Sequence, residues 1–190
     1  KIMGQRDIIV LLVKLFEKYK ISYILTGSFA GSFWGHPRAT HDIDFLVEIE
    51  TLQISKILAM LSKLDSSFSV DLRAIQNAID RHGQFNIVHN ETEMKIDFWV
   101  AKNTDFEKNK FKRKVNTKVF GRKVALVSAE DLILTKLSWI REIHSDRHFR
   151  DCIGILERQK GKLDEKYLIE NAKNLGVNEL LSEARKSKYY

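Results

Sequence analysis

Asp42 and Asp44 stand two residues apart in the run Asp42-Ile43-Asp44-Phe45-Leu46-Val47-Glu48. On a strand, side chains two apart share a face, so both carboxylates point the same way. Paired like charges repel and serve no core. A divalent cation that prefers oxygen ligands, Mg²⁺ or alternatively Mn²⁺, accounts for them economically. Upstream, the apolar run Tyr23-Ile24-Leu25 ends abruptly at Gly27-Ser28. Glycine permits a tight turn from a strand into a helix. A helix opening at Ser28 aims free backbone N–H groups at whatever lies above the strand end, and phosphate is the usual occupant. A phosphate cradle beside a paired-carboxylate metal site is machinery for phosphoryl or nucleotidyl transfer. The plainer alternative for Asp42 and Asp44 is a solvated strand edge.

The elements that must position these residues follow from periodicity. Apolar residues recur every three or four positions over Gln5–Tyr19, predicting a helix. A strand follows at Ser22–Thr26, then a short helix at Ser28–Trp34, stopped by Gly35 and the only proline, Pro37. The loop His36–His41 feeds the Asp42–Glu48 strand and places Arg38 and Thr40 beside it as candidate substrate contacts. Helices are expected over Thr51–Leu64 and Val70–Arg81. Phe85–His89 and Met94–Val100 read as a hairpin through Asn90–Glu93. Asp105–Phe111 reads as a turn or two of helix, and Lys114–Val119 with Val124–Val127 as a second hairpin around Gly121. Ser128-Ala129-Glu130-Asp131 reads as a capping box opening a helix over Ala129–Glu142. Phe149–Arg158, Glu165–Leu175 and Asn178–Lys186 complete a helical tail. The expected class is α/β (α+β): a short mixed β-sheet core with interleaved helices over 1–127, and a C-terminal helical region over 128–190 packed on it.

Composition narrows the function classes. With 44% hydrophobic residues the chain has material for a core, and its one cysteine, Cys152, excludes an intramolecular disulfide or a cysteine-rich zinc site. No apolar run reaches the roughly 18–20 residues of a membrane span. A reducing, cytoplasmic setting is the expectation. The net charge of +7 lies wholly in the second half of the chain. Lys102, Lys108, Lys110, Lys112, Arg113, Lys114, Lys118, Arg122 and Lys123 form a basic run offset only by Asp105 and Glu107. Such a run suits an enzyme that handles polyanions, or is simply a solvated hairpin. His36, His41, His144 and His148 form no convincing metal set. Arg141 and Arg150 read as surface or ion-pairing residues.

Gly27-Ser28, a spacer, then Asp-x-Asp between apolar residues resembles the signature of the DNA polymerase β-like nucleotidyltransferase superfamily. That pattern wants a third acid on a later strand. Met94-Lys95-Ile96-Asp97-Phe98-Trp99-Val100 supplies Asp97, with Ile96 and Phe98 on the opposite face. Ser128–Leu137 followed by Arg150-Asp151 resembles the AbiEii-like branch, which includes toxins of toxin–antitoxin systems. Relatives in that branch often carry a second acid three residues beyond Asp151, where this chain has Gly154.

The resemblance implies Mg²⁺-dependent transfer of a nucleoside monophosphate from an NTP such as ATP to a hydroxyl acceptor, on RNA or on a protein, with an antitoxin as partner. Asp42, Asp44 and Asp97 would be the catalytic and metal-holding residues. Gly27, Ser28, Arg38, Thr40 and Lys136 would bind the nucleotide, although a lysine between Leu134 and Leu137 is by default a snorkelling one. The alternatives are a metal-dependent nuclease and a non-catalytic binding module that keeps the fold.

Overall fold

The computed structural model describes residues 3–49 and 53–189. The chain forms two compact units, Lys1–Ser28 with Thr40–Leu126, and Phe29–Ala39 with Val127–Tyr190. The division made from sequence at 127/128 does not assign residues 29–39 to the helical part.

The first unit is built on a seven-stranded mixed sheet of order β3-β4-β5-β2-β1-β7-β6. Its strands are β1 (Ser22–Thr26), β2 (Asp42–Glu48), β3 (Phe68–Ser69), β4 (Gln84–His89), β5 (Met94–Val100), β6 (Val115–Val119) and β7 (Arg122–Leu126). β2 is central, antiparallel to β1 and parallel to β5. Directly paired residues share a sheet face, so Leu25, Phe45, Phe98 and Phe85 line one side. Helix α1 (Gln5–Tyr19) supplies Phe16 to that side. Its ring stacks on Tyr23 at 4.7 Å and meets Phe45 edge-on at 5.1 Å. Such aromatic contacts add about 0.5–1.5 kcal/mol each beyond area burial. Of the apolar residues whose spacing predicted α1, Ile8, Leu12 and Phe16 are fully buried and Leu11, Leu15 and Tyr19 half-buried, while Ile9 and Val13 complete the buried face. The helix stops where Lys20 turns left-handed at φ 54°.

Helices α3 (Ile54–Leu61), α4 (Leu72–Asp80) and α5 (Asp105–Arg113) complete this unit. Thr51 and Leu52 of the expected third helix lie outside the described residues. β3 was not expected: two residues carry no periodicity, and only pairing with Val88 and His89 defines it. α5 also runs two residues further than expected, through Lys112 and Arg113, and the strand expected from Lys114 begins at Val115. The basic run is therefore split between helix and hairpin. Lys110 is buried against Glu107 at 2.8 Å, and Arg122 is ion-paired with Glu17, so part of the run is committed internally. Only from Val115 does strand alternation expose Asn116 and Lys118 together.

In the second unit, α6 (Ala129–Glu142) buries Leu132, Ile133, Leu134, Leu137 and Ile140. Ser128 caps it, accepting from the Asp131 N–H at 3.1 Å. The Asp131 carboxylate accepts from the Ser128 hydroxyl and from Tyr167 at 2.8 and 2.7 Å, which ties α6 to α8 (Glu165–Asn174). Helices α7 (Asp146–Arg158) and α9 (Asn178–Lys186) complete the bundle. At Gly154 an added Cβ would lie 3.1 Å from the His36 ring and 3.2 Å from Tyr189, whose rings stack on each other at 4.2 Å. Gly154 leaves room for that pair, and an acidic side chain there would displace it.

Candidate active site

The site in the first unit starts from strand register. Asp44 lies directly across from Thr26 on one side and from Asp97 on the other. Asp42, two residues earlier on β2, shares their face and is exposed, while Asp44 is half-buried and Asp97 is 6% exposed. Helix α2 (Gly27–Trp34) begins immediately after β1, at Gly27, one residue earlier than expected. Gly27 has φ +65°, and a Cβ there would fall 1.9 Å from Asp44 Oδ2. Glycine is therefore required twice over: for its backbone conformation, and because the Asp44 carboxylate lies against its Cα. Ser28 follows in the first turn of α2, half-buried. The Thr40 hydroxyl accepts from the Asp42 N–H at 3.3 Å, and Gln5 donates to the Thr40 carbonyl at 3.2 Å. Thr40 thus fixes the start of β2.

Two residues join this face that sequence reasoning did not single out. The Trp99 indole N–H lies 3.4 Å from Asp44 Oδ1. The Lys95 ammonium sits 2.8 Å from Asp97 Oδ1 and 3.1 Å from Oδ2. The approach to Oδ1 is an ion contact without hydrogen-bond geometry, leaving that buried oxygen unsatisfied. The hydrogen bond to Asp97, with the charges of Asp97, Asp42 and Asp44 behind it, raises the Lys95 pKa. Spacing carried a signal for Lys95: it lies two residues before Asp97 and so shares its face.

Three carboxylates are the hard oxygen donors that Mg²⁺ takes. Asp97 adds a buried, unsatisfied acceptor to that set, so the donor chemistry fits. As the side chains lie, no group of three or more His, Cys, Asp or Glu converges on a single ion position among the described residues.

Arg38 and Lys136 come together in the second unit, on a carboxylate the sequence left without a role. Arg38 grips Asp151 bidentately, Nε to Oδ1 at 2.9 Å and Nη2 to Oδ2 at 3.1 Å. The Lys136 ammonium, fully buried, donates to the same Oδ2 at 2.9 Å. Lys136 is therefore not the snorkelling lysine its apolar neighbours suggested. Burial alone would raise the Asp151 pKa, but hydrogen bonds and charge from Arg38 and Lys136 outweigh it and hold it below the usual range. The Cys152 thiol is pushed up to about 12 by complete burial, so it stays protonated and is neither nucleophile nor metal ligand. Arg150 is exposed, and exposed Arg141 donates to the Leu175 carbonyl.

His148 borders this cluster. Burial first, then the Lys136 charge, lower its pKa to about 4, and its Nδ1 is buried without a hydrogen-bond partner. The folded state keeps it neutral while the unfolded chain takes up a proton below about 6.5. Its contribution is complete above the unfolded value and is lost as pH falls from about 6.5 to about 4. We expect His148→Phe to flatten the dependence of melting temperature on pH across that window. Equal slopes for variant and parent would overturn this.

No protein-family model matches the sequence, and no curated protein matches it. Solved structures do match over nearly the whole chain. The antibiotic-resistance factor ANT(2″)-Ia, in solution, is 14% identical with a TM-score of 0.56, over 96% of this chain and 91% of that one. The same factor in complex with adenylyl-2″-tobramycin gives 13% identity and a TM-score of 0.55, over 97% and 98%. An antigenic nucleotidyltransferase-like protein from Paracoccidioides brasiliensis is 18% identical with a TM-score of 0.56, over 96% and 92%. The chain has the nucleotidyltransferase fold.

Proposed function

We propose that the chain transfers a nucleoside monophosphate from an NTP to a hydroxyl acceptor, using the carboxylate face of β2 and β5. The observation that carries this is the position of Asp44, set in register between Thr26 and Asp97 with Gly27 against its side chain. The shared fold and the resemblance of Gly27-Ser28 and Asp42-Ile43-Asp44 support it. Asp42, Asp44 and Asp97 would hold Mg²⁺, which when bound neutralises the triphosphate and makes the acceptor hydroxyl more acidic. The Gly27 backbone and Ser28 hold the β- and γ-phosphates at the start of α2. Asp97 takes the acceptor proton as the acceptor oxygen bonds to the α-phosphorus and pyrophosphate leaves. Positioning and charge neutralisation do most of the work.

Arg38 and Lys136, the nucleotide contacts expected from sequence, both hold Asp151 in the second unit. The acceptor class follows the exposed part of the basic run, Lys102, Lys108, Lys112, Lys118 and Lys123, which favours RNA over a protein hydroxyl. A toxin role with an antitoxin partner rests on the resemblance of Ser128–Leu137 and Arg150-Asp151. No helix among the described residues is long and apolar enough to cross a membrane. One observation favours a binding module instead: Lys95 already neutralises Asp97.

The test is to incubate the protein with each α-labelled NTP, Mg²⁺ and total RNA or protein, and to follow label transfer. In parallel, Mg²⁺ with the preferred NTP should raise the melting temperature, since a ligand at a hundredfold excess over Kd stabilises by about 2.7 kcal/mol. Stabilisation without transfer to any acceptor would favour the binding module, and no response to any NTP would end the nucleotidyltransferase reading.

A further inference from the structure

We infer that Lys95 is the resting counter-ion of the carboxylate face and must leave Asp97 before a divalent cation can bind, so that it sets the metal concentration the site requires. The inference rests on the metal-dependent reading above. Lys95 lies across from Asp42 in the pairing of β5 with β2, two residues before Asp97 and on the same face. Its ammonium contacts both oxygens of Asp97, at 2.8 and 3.1 Å. Asp97 is the most buried of the three acids, and the Lys95 ammonium hydrogen-bonds its Oδ2. A divalent ion bound to Asp97 would need those same oxygens, and two cations crowded on one carboxylate repel.

The exchange is feasible because the two side chains differ in access to water. The Asp97 side chain is 9% exposed and that of Lys95 44%. The carboxylate is fixed in the sheet, whereas the lysine has four rotatable bonds and a route to solvent. Swinging out costs it one half-exposed ion pair, a modest interaction where water competes. That is small against the binding of a divalent ion with a triphosphate, yet large enough to discriminate between metal concentrations. Lys95 is thus a positioning residue: it keeps the like-charged face folded without metal and yields when metal arrives with nucleotide.

The experiment is a titration of the full chain with Mn²⁺ alone, followed by electron paramagnetic resonance, on the parent, Lys95→Met and Lys95→Arg. Lys95→Met keeps the stem and removes the charge, and should bind Mn²⁺ up to about fivefold more tightly, as loss of about 1 kcal/mol of competition implies. Its metal-free melting temperature should fall and be restored by Mn²⁺. Lys95→Arg keeps the charge and should stay near the parental Kd. Equal Mn²⁺ affinity in the parent and Lys95→Met would overturn the inference while leaving the metal reading intact. Absence of Mn²⁺ binding in all three, with and without a non-hydrolysable NTP, would instead remove the metal reading and this inference with it.

Discussion

Asp97→Asn should cut nucleotide transfer by about 10²–10³-fold or more, the scale on which single groups that stabilise a transition state act. Asp44→Asn should do the same. Both changes keep side-chain volume and remove the charge, so any loss is electrostatic rather than a packing defect. Neither should unfold the protein. In Asp97→Asn, the half-exposed Lys95 loses its carboxylate and turns to water, at a cost of no more than about 1 kcal/mol. In Asp44→Asn, Gly27 still has no Cβ to clash, and repulsion within the acidic face is relieved. Transfer of label from an α-labelled NTP, with a thermal melt of each variant, separates the two effects. The added melting temperature from Mg²⁺ with NTP should vanish in both variants. Parental transfer by both would remove the carboxylate face from the reaction.

Asp151→Asn should strongly destabilise the second unit. It leaves the fully buried Lys136 ammonium without its carboxylate, and Arg38 without its bidentate partner. Removing one partner of a buried pair costs about 3–5 kcal/mol. For a chain of this size that is a fall of roughly 6–20 °C in melting temperature. Lys136→Met should cost much less, because Arg38 still satisfies Asp151. The double variant Asp151→Asn with Lys136→Met should recover part of the loss, since no buried charge is then stranded. Additive losses in that double variant would show the pair to be uncoupled. The pH window is distinct from that of His148. The Asp151 pKa is depressed by folding, so its contribution is complete above the unfolded value near 3.9 and is lost as pH falls further, through the folded value.

The two variants read different parts of the chain, which is why both are needed. Asp97→Asn tests chemistry with little effect on the fold, whereas Asp151→Asn tests an ion cluster whose structural cost could mimic loss of function. Arg38 and Lys136 illustrate the difficulty. Read from sequence they are nucleotide contacts, yet each already holds Asp151. Only a measurement of nucleotide affinity in a folded Lys136→Met variant would separate phosphate binding from support of the helices.

What the sequence determined by itself is local. The Gln5–Tyr19 helix, the Ser22–Thr26 and Asp42–Glu48 strands and the Ala129–Glu142 helix were legible because their apolar periods lie within each segment. The shared face of Asp42 and Asp44 was legible for the same reason, being a matter of alternation. The mixed-sheet class followed from the order of those segments. What lay beyond the sequence is whatever depends on pairing between distant segments. β3 exists only through β4, and α5 takes in Lys112 and Arg113 beyond its expected end. That Asp97 comes to lie beside Asp44 is set by the parallel pairing of β2 with β5, which no local pattern encodes. Gly27 was legible as a turn, but its closeness to the Asp44 carboxylate was not. Asp151 gathers Arg38 from 113 residues away and Lys136 from 15 away, a charge balance that exists only once the helices have packed. Periodicity is written into neighbouring residues by the geometry of one element. Register and buried ion pairs come from competition among many possible partners, and that is decided only in the folded chain.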